Sequence, residues 1–400
     1  MAFAGVEPPF SAQVLTEWLG FWQFSEQLFT GSLFMALIAL PWAPLLRPLR
    51  ALVARHWLRE SDVDALLARL QPAWRLNRVF ARVEARHWVA DDMLALTLRP
   101  NGNWRGAQPG QHVQVYLEQA GVRLSRSYSL TALHADGRLE IAIKRQPGGR
   151  VSPHLLDWLA VGQVLELGPA FGELRWDARS PGVLLLAAGS GITPLLGLLR
   201  SALAQGFSAP ISVLHYVREQ GQRAFVAELQ ALQAQYANLQ VRWVLTGAPL
   251  TAELQGRFNA AHLIEVAELS QRQVLACGSA GFVEQVQQWW RSAGQGSALQ
   301  VEAFTPPRLL ATAARREVRL GFVRSQQSVV GDTRRSLLEQ AESQGLRPAH
   351  GCRQGICASC TCVLLAGVVR DLRSGALFDE PGQPIRLCIS APHGDVAIDL

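Results

Sequence analysis

Three cysteines within ten residues, Gly351-Cys352-Arg353-Gln354-Gly355-Ile356-Cys357-Ala358-Ser359-Cys360, constrain this chain more than any other feature. They stand in C-x4-C-x2-C order, and Cys388 lies further on. Four thiolates form the donor set of a soft metal centre. A structural zinc site is one reading, but such sites favour two C-x2-C knuckles, and only Cys357 and Cys360 have that spacing. A [2Fe–2S] cluster fits better, because two irons need four thiolates, three from one loop and one from a distant strand end. Gly355, Ala358 and Ser359 are small, so the backbone can wrap closely with N–H groups aimed at the sulfurs. Cys362 is read as filling a position that wants a small residue, not as a ligand.

Five of the six cysteines fall in the last 50 of 400 residues, clustered as ligands. That usage points to a reducing, cytoplasmic compartment rather than a disulfide framework. The length calls for two to four domains. Lys144 is the only lysine, and the formal net charge is +6. The arginine bias is read as coding composition, so no nucleic-acid partner is expected, although the charge suits an anionic surface or acidic partner. No basic n-region and A-x-A site marks the N-terminus, so no secretory signal is expected.

Residues 1–75 carry no cofactor motif and read as a helical region. Between Glu26 and Arg47 lies an uncharged stretch containing Leu33-Phe34-Met35-Ala36-Leu37-Ile38-Ala39-Leu40, interrupted by Pro41 and Pro44 and followed by Arg47, Arg50, Arg55 and Arg59. The run barely reaches spanning length, and the prolines disfavour a straight helix. Peripheral membrane contact through residues 20–60 is one expectation, on the inner face of the cytoplasmic membrane. A helix pair packed on the rest of the protein is the other. Ser61–Leu70 reads as an amphipathic helix with Ser61 as its N-cap.

From Asn77 the apolar period becomes two. Val79–Glu84, Met93–Leu98, His112–Tyr116 and Leu139–Lys144 predict an antiparallel β-barrel domain over 76–178. Inside it stand Arg126-Ser127-Tyr128-Ser129 and Gly148-Gly149-Arg150-Val151-Ser152. An arginine can clamp a phosphate, a tyrosine can cover a flat ring, and a glycine pair opening a helix exposes N–H groups to an anion. Gly168-Pro169-Ala170-Phe171-Gly172 is read as the closing turn. At Val183-Leu184-Leu185-Leu186 the pattern becomes that of a buried parallel strand. It enters Ala187-Ala188-Gly189-Ser190-Gly191-Ile192-Thr193-Pro194, a strand, glycine turn and helix start suited to a pyrophosphate. Strands at Ile211–Val217, Val241–Leu245 and Val274–Gly278, with a helix over Ala224–Gln235, complete an α/β parallel-sheet domain over 179–305. Residues 306–316 read as a linker. Residues 317–400 form the last domain, with a helix over Arg334–Gln344 capped by Asp332 and stopped by Gly345.

The cysteine spacing resembles plant-type ferredoxins, which implies an α+β β-grasp domain with Cys352, Cys357, Cys360 and Cys388 as ligands. R-x-Y-S, G-G-x-V-S and G-x-G-I-T-P together resemble the ferredoxin–NADP reductase superfamily. The resemblance implies FAD, with FMN as the alternative, held by Arg126, Tyr128, Ser129, Val151 and Ser152. It further implies Gly189, Gly191, Thr193 and Pro194 at the nicotinamide nucleotide, Cys277 as a wall of that pocket, and Glu302 and Phe304 beside the flavin. Arg218 and Arg223 could pair with a 2′-phosphate, which favours NADPH over NADH.

The whole of 77–400 resembles reductase components of oxygenases and of fatty-acid desaturases. Expected chemistry runs from NAD(P)H through flavin and cluster to an outside acceptor, because hydride carries two electrons and the cluster takes one. The arginine-edged N-terminal region makes a membrane di-iron acyl desaturase or hydroxylase the first expected acceptor. A soluble Rieske or di-iron oxygenase is the alternative. A redox-sensing interaction protein, with no steady turnover, is a third reading.

Overall fold

The computed structural model of the chain describes residues 47–119, 122–247, 254–294, 299–304, 315–353, 355 and 357–400. The apolar run before Arg47, most of the expected linker, and Gln354 and Ile356 of the cysteine loop lie outside the described residues. Among the described residues, no helix is long and apolar enough to cross a membrane. The chain divides into two compact units. One comprises residues up to Asn77 with Asn101–Trp104, and the other comprises Arg78–Pro100 with Arg105–Leu400.

The smaller unit holds α1 (Arg47–Ala54) and α2 (Glu60–Leu70). Val63, Leu67 and Leu76 are buried against Leu49, Val53 and Trp74. Asp64, also buried, accepts a 2.7 Å hydrogen bond from the Leu76 amide. Arg50 donates to the Leu76 carbonyl at 2.7 Å. Ser61 does not cap α2. Arg59 holds the cap position with extended backbone and no side-chain bond, and the Ser61 hydroxyl turns to Asp62.

In the larger unit, β1 (Val79–Ala90), β2 (Met93–Pro100), β3 (His112–Gln119), β4 (Val122–Leu133), β5 (Leu139–Lys144) and β6 (Val164–Leu167) close an antiparallel barrel, with α3 (Ser152–Trp158) before β6. A period-two sequence buries one face of such strands, and closure removes the edges. A parallel sheet follows, built from β7 (Val183–Ala188), β8 (Ile211–Val217), β9 (Leu239–Leu245), β10 (Leu254–Gln255), β11 (Gln273–Gly278) and β12 (Leu299–Ala303), in the order β10-β9-β8-β7-β11-β12. Its helices are α4 (Ile192–Ala204), α5 (Val226–Gln235) and α6 (Ala280–Ser292). α5 starts at Val226, two residues later than its sequence pattern suggests, because Phe225 takes a left-handed φ of 60°.

The barrel and the parallel sheet share one core. Met93 and Ala95 of β2 and Ala142 of β5 pack with Leu195, Leu196 and Leu198 of α4. The buried methionine and each buried leucine contribute about 1.5–3 kcal/mol. Arg200 of α4 fastens the same seam. It donates to the Glu140 carboxylate of β5 at 2.7 Å, to the Thr131 carbonyl of β4 at 2.8 Å, and to both oxygens of Glu228 on α5 at 2.6 Å.

The third sheet runs β14-β13-β18-β15-β16, from β13 (Glu317–Phe322), β14 (Gln327–Asp332), β15 (Thr361–Asp371), β16 (Leu377–Phe378) and β18 (Ser390–Ile398), with β17 (Pro384–Arg386) on β15. α7 (Leu337–Ser343) packs through Leu337, Leu338 and Ala341 on Phe322, Leu364 and Leu387. Its cap is Ser336, which forms a capping box with Glu339, and not Asp332. Asp332 ends β14, and its carboxylate accepts from the Arg334 and Arg335 amides. Gly345, at φ 81°, does end the helix.

Candidate functional site

β3 and β4 present the barrel's candidate residues. Register sets His112 opposite Ser129, Gln114 opposite Ser127, and Val113 opposite Tyr128. Strand alternation therefore groups Ser127 and Ser129 with His112 and Gln114, and turns Arg126 and Tyr128 to the other face. The Ser129 hydroxyl is buried and has no protein partner. An orphaned buried hydroxyl is costly unless a bound group completes it, and a flavin nitrogen would do so. Arg126 is exposed, and its guanidinium rests on the Ser125 carbonyl at 2.7 Å. Burial pushes the Tyr128 phenol above its ordinary value, so it stays neutral. Val151 is buried just before α3, and the Ser152 hydroxyl accepts from the Gln146 amide at 3.0 Å.

The glycine turn after β7 meets the end of β11. A Cβ on Gly191 would lie 1.9 Å from the Cys277 carbonyl oxygen, so only glycine fits this approach. Thr193 donates to the Ser190 carbonyl at 2.9 Å and fixes the turn, and Pro194 is buried in the first turn of α4. Cys277 is fully buried, and desolvation, then Glu302, pushes its thiol well above the usual range. The thiol therefore stays protonated. His215 supports the turn from below, donating from Nε2 to the Gly189 carbonyl at 2.9 Å. Desolvation lowers its pKa to about 4. Lys144 ends β5 beside Gly189 and lies 3.4 Å from Asp92. Arg218 is exposed after β8, and Arg223 stacks 5.6 Å over the Trp243 ring.

Glu302 of β12 reaches back to the barrel. Its Oε1 lies 2.7 Å from His112 Nε2, both residues being buried, but the pair lacks hydrogen-bond alignment. His112 stacks on Phe171 at 5.7 Å and meets Phe304 edge-on at 5.9 Å. Glu302 also lines a cavity of about 250 Å³ with Glu173, Arg373 and Arg386. Sequence reading missed His112, Lys144 and His215. The single lysine at a strand end was a usable signal, whereas the His112 contacts depend on pairing between distant segments.

The cysteines fall into two pairs. The amides of Cys352 and Cys357 each donate to the other's sulfur, at 3.3 and 3.4 Å. Cys360 and Cys388 are both buried, and their interaction lowers the Cys360 pKa and raises that of Cys388. The Cys352 thiol, then burial and Ser359 acting against each other, leave Cys357 at about 5. Among the described residues no three such donors form one metal group. Two pairs of thiols are nevertheless the donor set that two irons require. Arg353 and Ala358 adopt left-handed φ of 57° and 55°, and Glu342 grips the Arg353 guanidinium at 2.9 Å. Such strained residues persist where their surroundings fix them, and they cluster at functional loops. The Cys362 sulfur lies 3.9 Å from the Val363 carbonyl, and burial raises its thiol.

Comparison with known proteins decides the family. An oxidoreductase FAD-binding domain matches residues 81–176, an oxidoreductase NAD-binding domain matches 185–288, and a 2Fe-2S iron-sulfur cluster binding domain matches 322–393. The NADPH oxidoreductase of Mycobacterium tuberculosis is 32% identical over 344 residues, 84% of this chain and 88% of that one. The chain belongs to the FAD- and [2Fe–2S]-containing NAD(P)H oxidoreductases. The glycine betaine monooxygenase reductase subunit of Pseudomonas aeruginosa is 28% identical over 317 residues, 73% of this chain and 87% of that one. Phthalate dioxygenase reductase matches in fold, with a TM-score of 0.53 at 23% identity over 80% of this chain and 97% of that one. The enzyme thus joins a flavin barrel, a nucleotide sheet and a C-terminal iron–sulfur domain in one chain.

Proposed function

We propose that this oxidoreductase is the reductase component of an oxygenase system, taking electrons from NADPH through FAD and the [2Fe–2S] cluster to a terminal acceptor. The observation that carries the reading is the buried, unpartnered Ser129 hydroxyl, with the Gly189–Pro194 turn and two cysteine pairs in the same compact unit. Bound flavin supplies the exchange between hydride and single electrons, and the cluster supplies the one-electron relay. Arg126, Val151 and Ser152 bind the flavin phosphates, and Tyr128 and Ser129 orient its ring. Gly189, Gly191, Thr193 and Pro194 seat the nicotinamide nucleotide, while neutral Cys277 and Phe304 exclude water. His112, 2.7 Å from Glu302, stands on the strand face that carries Ser129. Arg218 and Arg223 favour a 2′-phosphate. Cys352, Cys357, Cys360 and Cys388 ligate the cluster. The relatives support an oxygenase as acceptor, because one of them is named as a monooxygenase reductase subunit.

A finer reading takes a membrane di-iron acyl desaturase or hydroxylase as that acceptor. Its support is the apolar N-terminal sequence together with the exposed Trp57, Leu58, Leu66 and Leu70 of the smaller unit, set among arginines. Side chains of this kind suit peripheral contact with an anionic membrane. The test is the acyl-chain profile of cells lacking the chain. Fewer unsaturated or hydroxylated chains, restored by the intact protein and not by Cys357→Ser, would support it. An unchanged profile would direct the assignment to a soluble Rieske or di-iron oxygenase.

A further inference from the structure

Among the described residues, Gln114 of the barrel hydrogen-bonds to the cysteine loop. Gln114 is polar, yet only 4% exposed. Its Oε1 accepts from the Tyr116 hydroxyl at 2.6 Å, and its Nε2 donates to Ser359 Oγ at 3.3 Å. Ser359 stands two residues after Cys357 and one before Cys360. The same amide fills the space over Gly351, where a Cβ would lie 1.6 Å from Gln114 Nε2 and 3.1 Å from the Cys357 sulfur. Behind it, Arg123 stacks 4.2 Å over the Tyr116 ring and pairs with Glu166 at 2.7 Å. Gln114 follows His112 by two residues on β3, and His112 lies opposite Ser129. Two residues of strand span about 7 Å. The face carrying Ser129 therefore runs directly into the contact with the cysteine loop.

We propose that Gln114 is the positioning residue that seats the cysteine loop on the barrel for electron transfer from flavin to cluster. The proposal rests on the functional reading above. A neutral amide suits the task, because it donates and accepts at once and brings no buried charge beside the thiolates. Its loss frees Ser359 and loosens the loop, leaving Ser129 and the nucleotide turn untouched. The electron step moves one electron from the reduced flavin to the oxidised cluster and needs no further reactant.

The test compares the intact holoprotein with Gln114→Ala and Gly351→Ala by anaerobic stopped flow with NADPH. Flavin reduction is expected at the wild-type rate, with cluster reduction slowed roughly ten- to a hundredfold, the range a small misplacement costs. Wild-type cluster reduction in both variants, or equal slowing of both steps, would overturn the proposal. A second readout is the EPR spectrum of the dithionite-reduced cluster, expected to shift in Gln114→Ala as Ser359 changes partner. An unchanged spectrum contradicts the contact. That spectrum needs no nucleotide, so it judges Gln114 even if wild type fails to reduce its flavin with NADPH, a failure that would strike the functional reading instead.

Discussion

Single residues of this protein are tuned in opposite ways. Cys357 is held low by hydrogen bonds from Cys352 and Ser359, as a ligand thiolate needs, whereas Cys277 is kept neutral by burial. Serine at any of positions 352, 357, 360 or 388 is expected to abolish the visible absorption and EPR signal of the cluster. Cys362→Ser, whose parent sulfur turns toward the Val363 carbonyl, is expected to keep both. His215 gives a pH prediction. Its folded pKa is about 4 against an ordinary 6.5, so the unfolded chain takes up its proton first as pH falls. Stability is therefore full above pH 6.5 and declines toward pH 4, by roughly 3 kcal/mol from this group. His215→Gln keeps a donor for Gly189 and is expected to flatten that part of the profile, as read from urea midpoints across pH.

Elements meet at two places that fix the chemistry. The turn between β7 and α4 approaches β11 so closely that Gly191→Ala must displace it. That variant is expected to retain flavin but to slow flavin reduction by NADPH about a hundredfold. Arg200 ties α4 to β5 and α5, and Arg200→Ala leaves Glu140, nearly buried, without its cation. A loss of roughly 2–3 kcal/mol in chemical denaturation is expected, since Glu228 is partly exposed and screened. Much of this architecture was legible in sequence, because strand periodicity, glycine turns and cysteine spacing are local signals. The caps were harder. Asp332 and Ser336 are both good cap residues, and Glu339, three residues after Ser336, decides between them by closing a capping box. Pairings between distant segments left no local trace. Gln114 and Ser359 stand 245 residues apart, and neither strand parity nor spacing names one as the other's partner.

At the scale of the whole molecule, barrel, nucleotide sheet and iron–sulfur domain lie in one compact unit, with the cysteine loop hydrogen-bonded to the strand face that carries Ser129. The proposed choice of NADPH belongs to this scale, because Arg218 and Arg223 follow the second strand of the parallel sheet and the glycine turn follows the first. Replacing both by alanine is expected to raise KM for NADPH at least about tenfold while leaving NADH nearly unaffected, as loss of a charge-assisted phosphate contact implies. The most direct measurement for the account is an anaerobic NADPH titration of the holoprotein, followed by visible absorption and EPR on the same sample. The account predicts that flavin absorption bleaches and the reduced-cluster signal rises together, with Cys357→Ser giving only the bleaching. Bleached flavin beside a cluster that stays oxidised, or no bleaching at all, would contradict it.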